Sequence, residues 1–474
     1  MAKRIIVVDT DITANLVIKL AIENPDKEII YYQMDNPETS AEIYYTLYDF
    51  EKLFPNIKRV SLNLEPYLEP KKDVEFIVVG DIGMGNTWDL LKEKGYKIIN
   101  GSSIEELEIY RSKFKQIYKD KKLDVLPRTW KCKNIQKAID IVNKEIDDDS
   151  GFVFKIDGII RDDTFHTRLF KNKFFGLEWL ESVKDYDVEC MIEEYVNGQE
   201  FAITGYCSKN GFIDYVVLNI EDKQAISDCE ELLVGQSASL DWIVSKYNKQ
   251  GEKIKFYKEV LEPIEDYLVS KNYIGYFDVN CIYDYENDKI YILEATCGRF
   301  GSPSQNIFEC LLNIEWTDFF NKLIDGDKFN DDDFVMYNIN SGNGLYALSL
   351  CINQEDYHSK PKSANKIIYG YEKKDILNRA YLIKDIKLKE NQIYYTPFDM
   401  WYDKKIKKFR CVEDAGRVIV ATMLTSDRHF GNASLRLRKE IYNKIYIPNM
   451  FVKKFITFSM SSDELNSKIH NLIN

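Results

Sequence analysis

The chain has 474 residues, 45% of them hydrophobic, and a formal net charge of −13 at pH 7. That length supports roughly two to four cores rather than one undivided domain, and the charge argues against a nucleic-acid backbone or an anionic membrane surface as the main partner. No run of eighteen apolar residues is present and the start, MAKRIIVVDT, lacks the order of a signal peptide, so a soluble cytoplasmic protein is expected, with no membrane partner.

In chain order, IIVVD (5–9), a helical pattern near 13–23, EIIYYQ, a second helix near 42–53, VSLNL and FIVVGD (76–81) alternate short apolar strands with helices. That alternation predicts a parallel sheet covered on both faces, with ligand positions at the strand ends near Asp9 and residues 80–86. The Gly83-Met84-Gly85 turn opens a helix at Asn86 or Thr87, where exposed N–H groups attract anions, although such turns are also ordinary loops. A long helix over 104–121 follows. At 3.6 residues per turn Lys113 and Lys115 cannot both face inward, so at most one belongs to a site. In FVFKIDG, Lys155 lies within an apolar strand and needs an anionic partner, either a neighbouring carboxylate or a ligand phosphate. DVECMIEEYV (187–196) is a strand running into Asn197-Gly198, a turn that suits a hairpin. Its Glu193 and Glu194 point to opposite faces, and Glu200 beyond the turn is free to accept hydrogen bonds from a diol.

A helix over 256–271 leads into YIGYFDVNCIY and KIYILEAT, two strands joined by a polar turn centred near Glu286. This register sets Asp278 opposite Glu294 and Asn280 opposite Ile292. Paired carboxylates are unfavourable without a cation between them, and their oxygens suit Mg²⁺; a solvated hairpin edge is the plain alternative. Arg299, in a Gly-Arg-Phe-Gly turn, supplies a positive charge nearby. The acidic stretch near 324–333 marks a domain edge, followed by short strands (LYALSLCI, KIIYGY, AYLIKDIKL, QIYYTPF, RVIVATML) and a helix over 432–446. Nine scattered cysteines without a CxxC pair read as reduced, mostly buried thiols, and four histidines without HxH or HxxxH spacing make histidine-based metal chemistry improbable.

This order of motifs resembles the ATP-grasp ligases, and in detail the phosphoribosylamine–glycine ligase family. LEIYRSKFKQIYKD is similar to that family's LExSKxFxK helix, FKIDG to its VKADG, MIEEYVNGQEF to its IEEFLxGEE, EDKQ to its DHKR, and YILEATCGRFGSP to its VIEFNVRFGDP. The segment EDAGRVIVATMLTSDR looks like its GGRVLxVTA. The resemblance implies an α/β and α+β chain: a parallel α/β pre-ATP-grasp domain over 1–110, a two-lobed ATP-grasp domain over 111–328 with its smaller lobe at about 125–195, and a mostly β domain over 329–474. It implies an ATP-dependent ligase joining an amino acid to an amine through an acyl phosphate, with ATP and Mg²⁺ (or Mn²⁺) as cofactors, acting as a monomer or homodimer.

On the same resemblance Lys113 and Lys155 hold ATP phosphates, and Glu193, Glu194 and the Tyr195 and Val196 backbone meet the nucleotide. Glu200 takes the ribose hydroxyls, Asp278, Glu294 and Thr296 stand at the metal, and Arg299 with Lys155 is catalytic. Several positions depart from the family. The glycine-rich GLAAGKGV loop is replaced by IIRDDTFHTR, where Arg161 or Arg168 is a substitute cation. Thr296 stands for an Asn ligand, and GDPE has become GSPS. GGREH has become DTDITAN, and NTGGMG has no counterpart near VGQSAS. These departures leave room for a different amino acid and amine, or for a catalytically silent protein that keeps the fold.

Overall fold

A computed structural model of the chain describes residues 3–9, 13–34, 54–60, 63–158, 167–225, 233–301, 304–338, 343–354, 366–372, 390–397, 400–403, 405–411, 418–427, 429–448, 450–452, 467, 470 and 472. The expected helix near 42–53, the strand AYLIKDIKL and Arg161 lie outside the described residues.

The first sheet contains β1 (Arg4–Asp9), β2 (Glu28–Gln33), β3 (Ile57–Val60), β4 (Val74–Val79) and β5 (Ile98–Ile99), all parallel, in the order β3-β2-β1-β4-β5. β1 is apolar at consecutive positions because both faces are covered. Ile5 and Val7 join one core while Ile6 and Val8 join another, and β4 divides Phe76 and Val78 from Ile77 and Val79 in the same way. The strand order reverses between β1 and β4, the usual ligand crevice of such sheets. Here the protein's own carboxylates fill it. Asp9 Oδ2 accepts from Thr13 N at 2.7 Å, and a Cβ on Gly80 would stand 2.5 Å from Asp9 Oδ1. The glycine turn is likewise engaged: the helix starts at Gly85, and Gly83 N and Gly85 N both donate to Glu105 at 2.9 Å. The expected anion site is thus occupied by a side chain of the chain itself.

The predicted long helix is broken. A short helix, Glu106–Ile109, ends at Tyr110, and a second runs over Arg111–Asp120. Next comes a four-stranded antiparallel sheet of β6 (Thr129–Cys132), β7 (Phe152–Ile156), β8 (Arg168–Phe170) and β9 (Cys190–Glu194), in the order β6-β9-β7-β8. Its strands alternate in character. Cys132, Phe154, Ile192 and Phe170 pack with Ile135, Ala138, Val142 and Leu180 of two covering helices, Ile135–Glu145 and Lys173–Ser182. Thr129, Lys131, Met191, Glu193, Val153 and Lys155 occupy the other face by register. Arg168 pairs with Phe154 and lies over the Trp179 ring at 4.6 Å, so it belongs to the helix-covered face rather than the phosphate side expected of it.

Asn197-Gly198 does not close a hairpin. β9 stays in the small sheet, whereas β10 (Gln199–Ser208) enters a nine-stranded sheet with β11 (Gly211–Ala225), β12 (Leu233–Ser245), β13 (Gly275–Asp284) and β14 (Lys289–Cys297). Gly198 is where the chain crosses; a Cβ there would come within 2.5 Å of Tyr283 O. The same sheet continues without interruption into four strands from the C-terminal third, Tyr346–Gln354, Ile393–Pro397, Ile419–Thr425 and Met450–Val452. The helix Phe430–Lys444 packs beside them through Phe430, Leu437 and Ile441. All eight described cysteines are buried thiols outside any disulfide. No described helix is long and apolar enough to cross a membrane.

Candidate active site between two sheets

The polar face of the small sheet looks toward β14, the edge strand of the large one. β13 and β14 form the predicted hairpin, but their register differs from the expectation. Asp278 pairs with Thr296 and Asn280 with Glu294, while Cys281 pairs with Ile292. Leu293 is the extra residue of a β-bulge, and the slip it introduces moves Glu294 away from Asp278 along the ladder. Asp278, Asn280, Glu294 and Thr296 nevertheless share one face. The bulge also frees edge carbonyls: Leu293 O accepts from Lys155 Nζ at 3.5 Å and Ile292 O from Lys115 Nζ at 3.2 Å.

Those two lysines converge on Glu193. Lys115 Nζ stands 2.9 Å from Glu193 Oε1 and Lys155 Nζ 3.1 Å from Oε2, with all three side chains 4% exposed or less. Burial alone pushes the Glu193 carboxyl up, yet the two ammonium groups outweigh it and hold it below the usual range. Burial also pushes Lys115 down to about 8, against the pull of Glu193. Lys115 is therefore the inward-facing lysine of its helix. Lys113, the one expected at the phosphates, is exposed and pairs with Glu106 at 2.5 Å. Sequence periodicity limited the choice to one of the two, and the apolar neighbours Phe114 and Tyr118, both fully buried, mark which side of the helix turns inward.

Glu294 Oε2 accepts from Arg111 Nε at 3.0 Å and lies 4.0 Å from Lys155 Nζ. Arg111 Nη1 also donates to Ile156 O at 3.0 Å, which ties the helix to the end of β7. Next to it Asp157 accepts from Ser112 N at 2.9 Å and pairs with Lys131 at 2.8 Å. Ser112, Lys113, Lys115, Gln116, Lys131 and Met191 line a cavity of about 280 Å³ on this side. Arg111 and Glu108 were not singled out in the sequence, whereas Lys115 was the alternative to Lys113 on the helical period.

Of the remaining expected residues, Glu194 sits at the strand end and holds Arg128 N at 2.8 Å and Arg128 Nε at 2.7 Å, so the two adjacent glutamates do part company as expected. The Tyr195 N–H donates to Gly151 O at 3.3 Å and is not free for adenine, while Val196 is half-buried. Glu200, half-buried, lies on the same sheet face as Asn280 and Asp278 through the pairs Glu200–Ile282, Ala202–Asn280 and Thr204–Asp278. Asp278 accepts from Thr204 Oγ1 at 2.6 Å. Arg299 follows Gly298, whose φ of 78° turns the chain out of β14. Its Nε donates to Glu108 Oε1 at 2.9 Å, and its Nη2 bonds the same oxygen. Burial opposes the charge on Arg299, but Glu108 outweighs it and raises its pKa further. Glu108 also accepts from Cys297 N at 3.0 Å, so one carboxylate fixes both the turn and the guanidinium.

The polar face extends past this cluster. Asn280, Ala202, Asn219 and Asp241 lie in one row across four strands, with Glu221 and Ser239 paired beside them. Asp241 is 3% exposed and accepts from Asn219 Nδ2 at 2.6 Å and Ser239 Oγ at 2.7 Å; burial pushes its carboxyl up to about 7 despite those bonds. Asn280, 9% exposed, keeps its Oδ1 without a hydrogen-bond partner. An orphaned amide oxygen between Glu294 and the Asp278 row makes an all-oxygen donor set, which fits a hard cation such as Mg²⁺. Among the described residues no three His, Cys, Asp or Glu side chains converge, and a Mg²⁺ shared with phosphate oxygens needs only one or two carboxylates.

No protein-family model matches this sequence, and no curated protein matches it. Solved structures do. Phosphoribosylamine–glycine ligase from Thermotoga maritima superposes with a TM-score of 0.63 at 14% identity, over 95% of this chain and 99% of that one. The biotin carboxylase domain of Hydrogenobacter thermophilus 2-oxoglutarate carboxylase, solved with MgADP, ADP and bicarbonate, gives 0.60 at 13%, over 100% and 99%. N5-carboxyaminoimidazole synthase from Aspergillus clavatus, in complex with ADP, gives 0.56 at 10%, over 93% and 99%. These are all ATP-grasp ligases matched along nearly their whole length, and the chain has the ATP-grasp fold, a parallel α/β domain joined to two facing antiparallel sheets.

Proposed function

We propose that the protein is an ATP-dependent ligase that joins a carboxylic acid to an amine through an acyl phosphate. One observation carries the reading. Lys115, Lys155 and Arg111 converge from the small-sheet side on a surface of the large sheet where Glu294 and Asp278 stand together with the unpartnered Asn280 oxygen. Cations facing a pair of carboxylates across a cleft suit a metal-bound triphosphate. A divalent cation held by Asp278, Glu294 and the Asn280 or Thr296 oxygen would neutralise charge on the transferred phosphoryl group. Lys155 and Lys115 would bind phosphate oxygens, and Glu200 the ribose hydroxyls. Arg299, held by Glu108, would orient the substrate carboxylate for attack on the γ-phosphorus. The amine then attacks the acyl carbon and phosphate leaves. No side-chain nucleophile is needed.

The similarity to phosphoribosylamine–glycine ligase makes glycine and phosphoribosylamine one candidate pair, and the altered GSPS and VGQSAS segments favour a different pair. Hydroxylamine separates these outcomes because it intercepts acyl phosphates whatever the natural amine. With Mg²⁺, ATP and hydroxylamine, a panel of amino acids and other small carboxylic acids is expected to include at least one that yields hydroxamate and ADP in equal amounts. ADP release that no carboxylate stimulates would overturn the ligase reading.

A further inference from the structure

We propose a second ligand site, separate from the nucleotide site, in the cavity where the parallel domain meets the large sheet, and assign it to a small molecule that carries an oxyanion on an apolar body. The cavity measures about 430 Å³ and lies beside the edge strand β5, between the helix Gly85–Glu93 and the C-terminal ends of the helices Glu262–Ser270 and Trp316–Asp325. That volume is within the range of small-molecule sites. None of its lining residues belongs to the cluster around Glu193 and Glu294.

The lining joins an apolar surface to ammonium groups that lack a close carboxylate. Ile98, Ile274, Ile324 and Tyr96 supply the apolar part, and the Tyr96 hydroxyl donates to Leu68 O at 3.1 Å. Lys92 is the central charged group. It lines the cavity, and its Nζ is buried without a hydrogen bond, 3.7 Å from Asp89 Oδ1 and 5.9 Å from the centre of the Tyr273 ring. Asp89 is committed elsewhere: Oδ1 accepts from Ser102 Oγ at 2.9 Å and Oδ2 from Ser103 N at 3.0 Å. Burial pushes Lys92 down to about 8, and Asp89 offsets this only in part. Such an ammonium is short of an acceptor, and a ligand oxyanion supplies one through a small swing of the flexible four-carbon stem. Two exposed lysines add to the lining. Lys97 stands 3.8 Å from Asp325 with both side chains about half exposed, and the Lys271 ammonium lies 5.8 Å from the centre of the Tyr267 ring. By contrast, Lys115 and Lys131 hold their carboxylates at 2.9 and 2.8 Å. Asp89 and Glu93 are the carboxylates of the lining, so three lysines leave it net positive.

Calorimetric titration of the full chain with phenyl phosphate and with benzoate, at constant ionic strength, tests the site. At least one of them is expected to bind about tenfold more tightly than inorganic phosphate, which has no apolar body, and than benzyl alcohol, which has no oxyanion. The tighter of the two identifies the oxyanion. Its affinity should be the same with and without Mg-ATP. Lys92→Met should weaken it at least about tenfold, with an unchanged or higher unfolding midpoint, because the substitution removes a buried amine that has no hydrogen bond. Ser270→Trp, at an exposed lining position, should block binding while leaving Lys92 in place. Inorganic phosphate binding as tightly as phenyl phosphate overturns the ligand class, and loss of probe binding on adding Mg-ATP overturns the separation of the two sites. Equal binding by Lys92→Met, or no binding of either probe at about 10 mM, overturns the site and leaves Lys92 a complement to the end of its helix.

Discussion

Glu193→Gln is expected to destabilise the nucleotide-free protein by about 3–5 kcal/mol, the cost of leaving buried charges without their partner. The substitution keeps size and shape but leaves Lys115 and Lys155 together in a site where both are 4% exposed or less. Their remaining hydrogen bonds go to the Ile292 and Leu293 carbonyls, and Glu294, 4.0 Å from Lys155 and already paired with Arg111, is the other carboxylate near them. Lys115 is already pushed down to about 8 with the glutamate present, so its removal should discharge one lysine near neutral pH. A chain of this size does not unfold in a single step, so the measurement is urea unfolding read by Trp130 and Trp179, which both pack on the core of the small sheet. Mg-ATP should return part of the loss, because phosphate oxygens replace the missing carboxylate. Replacing all three charges by apolar residues, with Lys115→Met, Lys155→Met and Glu193→Leu, should restore most of the stability and abolish nucleotide binding. A loss under about 1 kcal/mol for Glu193→Gln would contradict the account of this cluster.

Asp241→Asn is expected to act in the opposite direction, with an effect that grows as pH rises from about 4 to 7 and is full above it. Burial raises the folded pKa of Asp241 to about 7 from a reference of 3.8, and its hydrogen bonds from Asn219 and Ser239 offset this only in part. Between these values the folded state holds a proton that the unfolded state has released, so stability falls as pH rises from about 4 to 7 and stays low above it. At pH 8 the parent carries a buried carboxylate, and three pKa units correspond to about 4 kcal/mol. Asparagine removes the charge and keeps one acceptor, at the loss of about 1 kcal/mol of hydrogen bonding. The variant should therefore gain about 1–3 kcal/mol at pH 8 and be neutral or slightly weaker at pH 4, with a flatter stability profile between. A variant that is less stable than the parent at pH 8 would show that Asp241 has a cationic partner. A sheet face this polar and this buried is more readily kept for ligand contact than for folding, since apolar residues would pack it at lower cost.

Much of the architecture was legible because its physical signals are local. RIIVVD and VEFIVV are apolar at nearly every position, which only a strand covered on both faces tolerates, and β1 and β4 are indeed divided between two cores. Glu193 and Glu194 had to part by the period of the strand, and they do. Lys155 required an anionic partner, and Glu193 is that partner. What the sequence concealed depends on contacts distant along the chain. The bulge at Leu293 shifts Glu294 relative to Asp278, and nothing in KIYILEAT marks it; its reward comes from Lys115 and Lys155, which take the freed carbonyls. Asn197-Gly198 has the composition of a hairpin turn, yet its flanking strands are claimed by different sheets. The choice of Lys115 over Lys113 was open at the level of periodicity and is settled by a carboxylate nearly eighty positions downstream. The glycine turn at 83–85, open in the sequence between an anion site and an ordinary loop, does present N–H groups to an anion, and that anion is the chain's own Glu105.

The measurement that bears most directly on the central claim is thermal unfolding of the full chain with and without Mg-ATP, beside the Asp278→Asn, Glu294→Gln double variant. At a hundred times its dissociation constant, a ligand that binds only the folded state adds about 2.7 kcal/mol. A rise in midpoint that requires the divalent cation and disappears in the double variant is the predicted result. A parent midpoint unmoved at millimolar Mg-ATP, or an equal rise in the double variant, would contradict a nucleotide site between the two sheets.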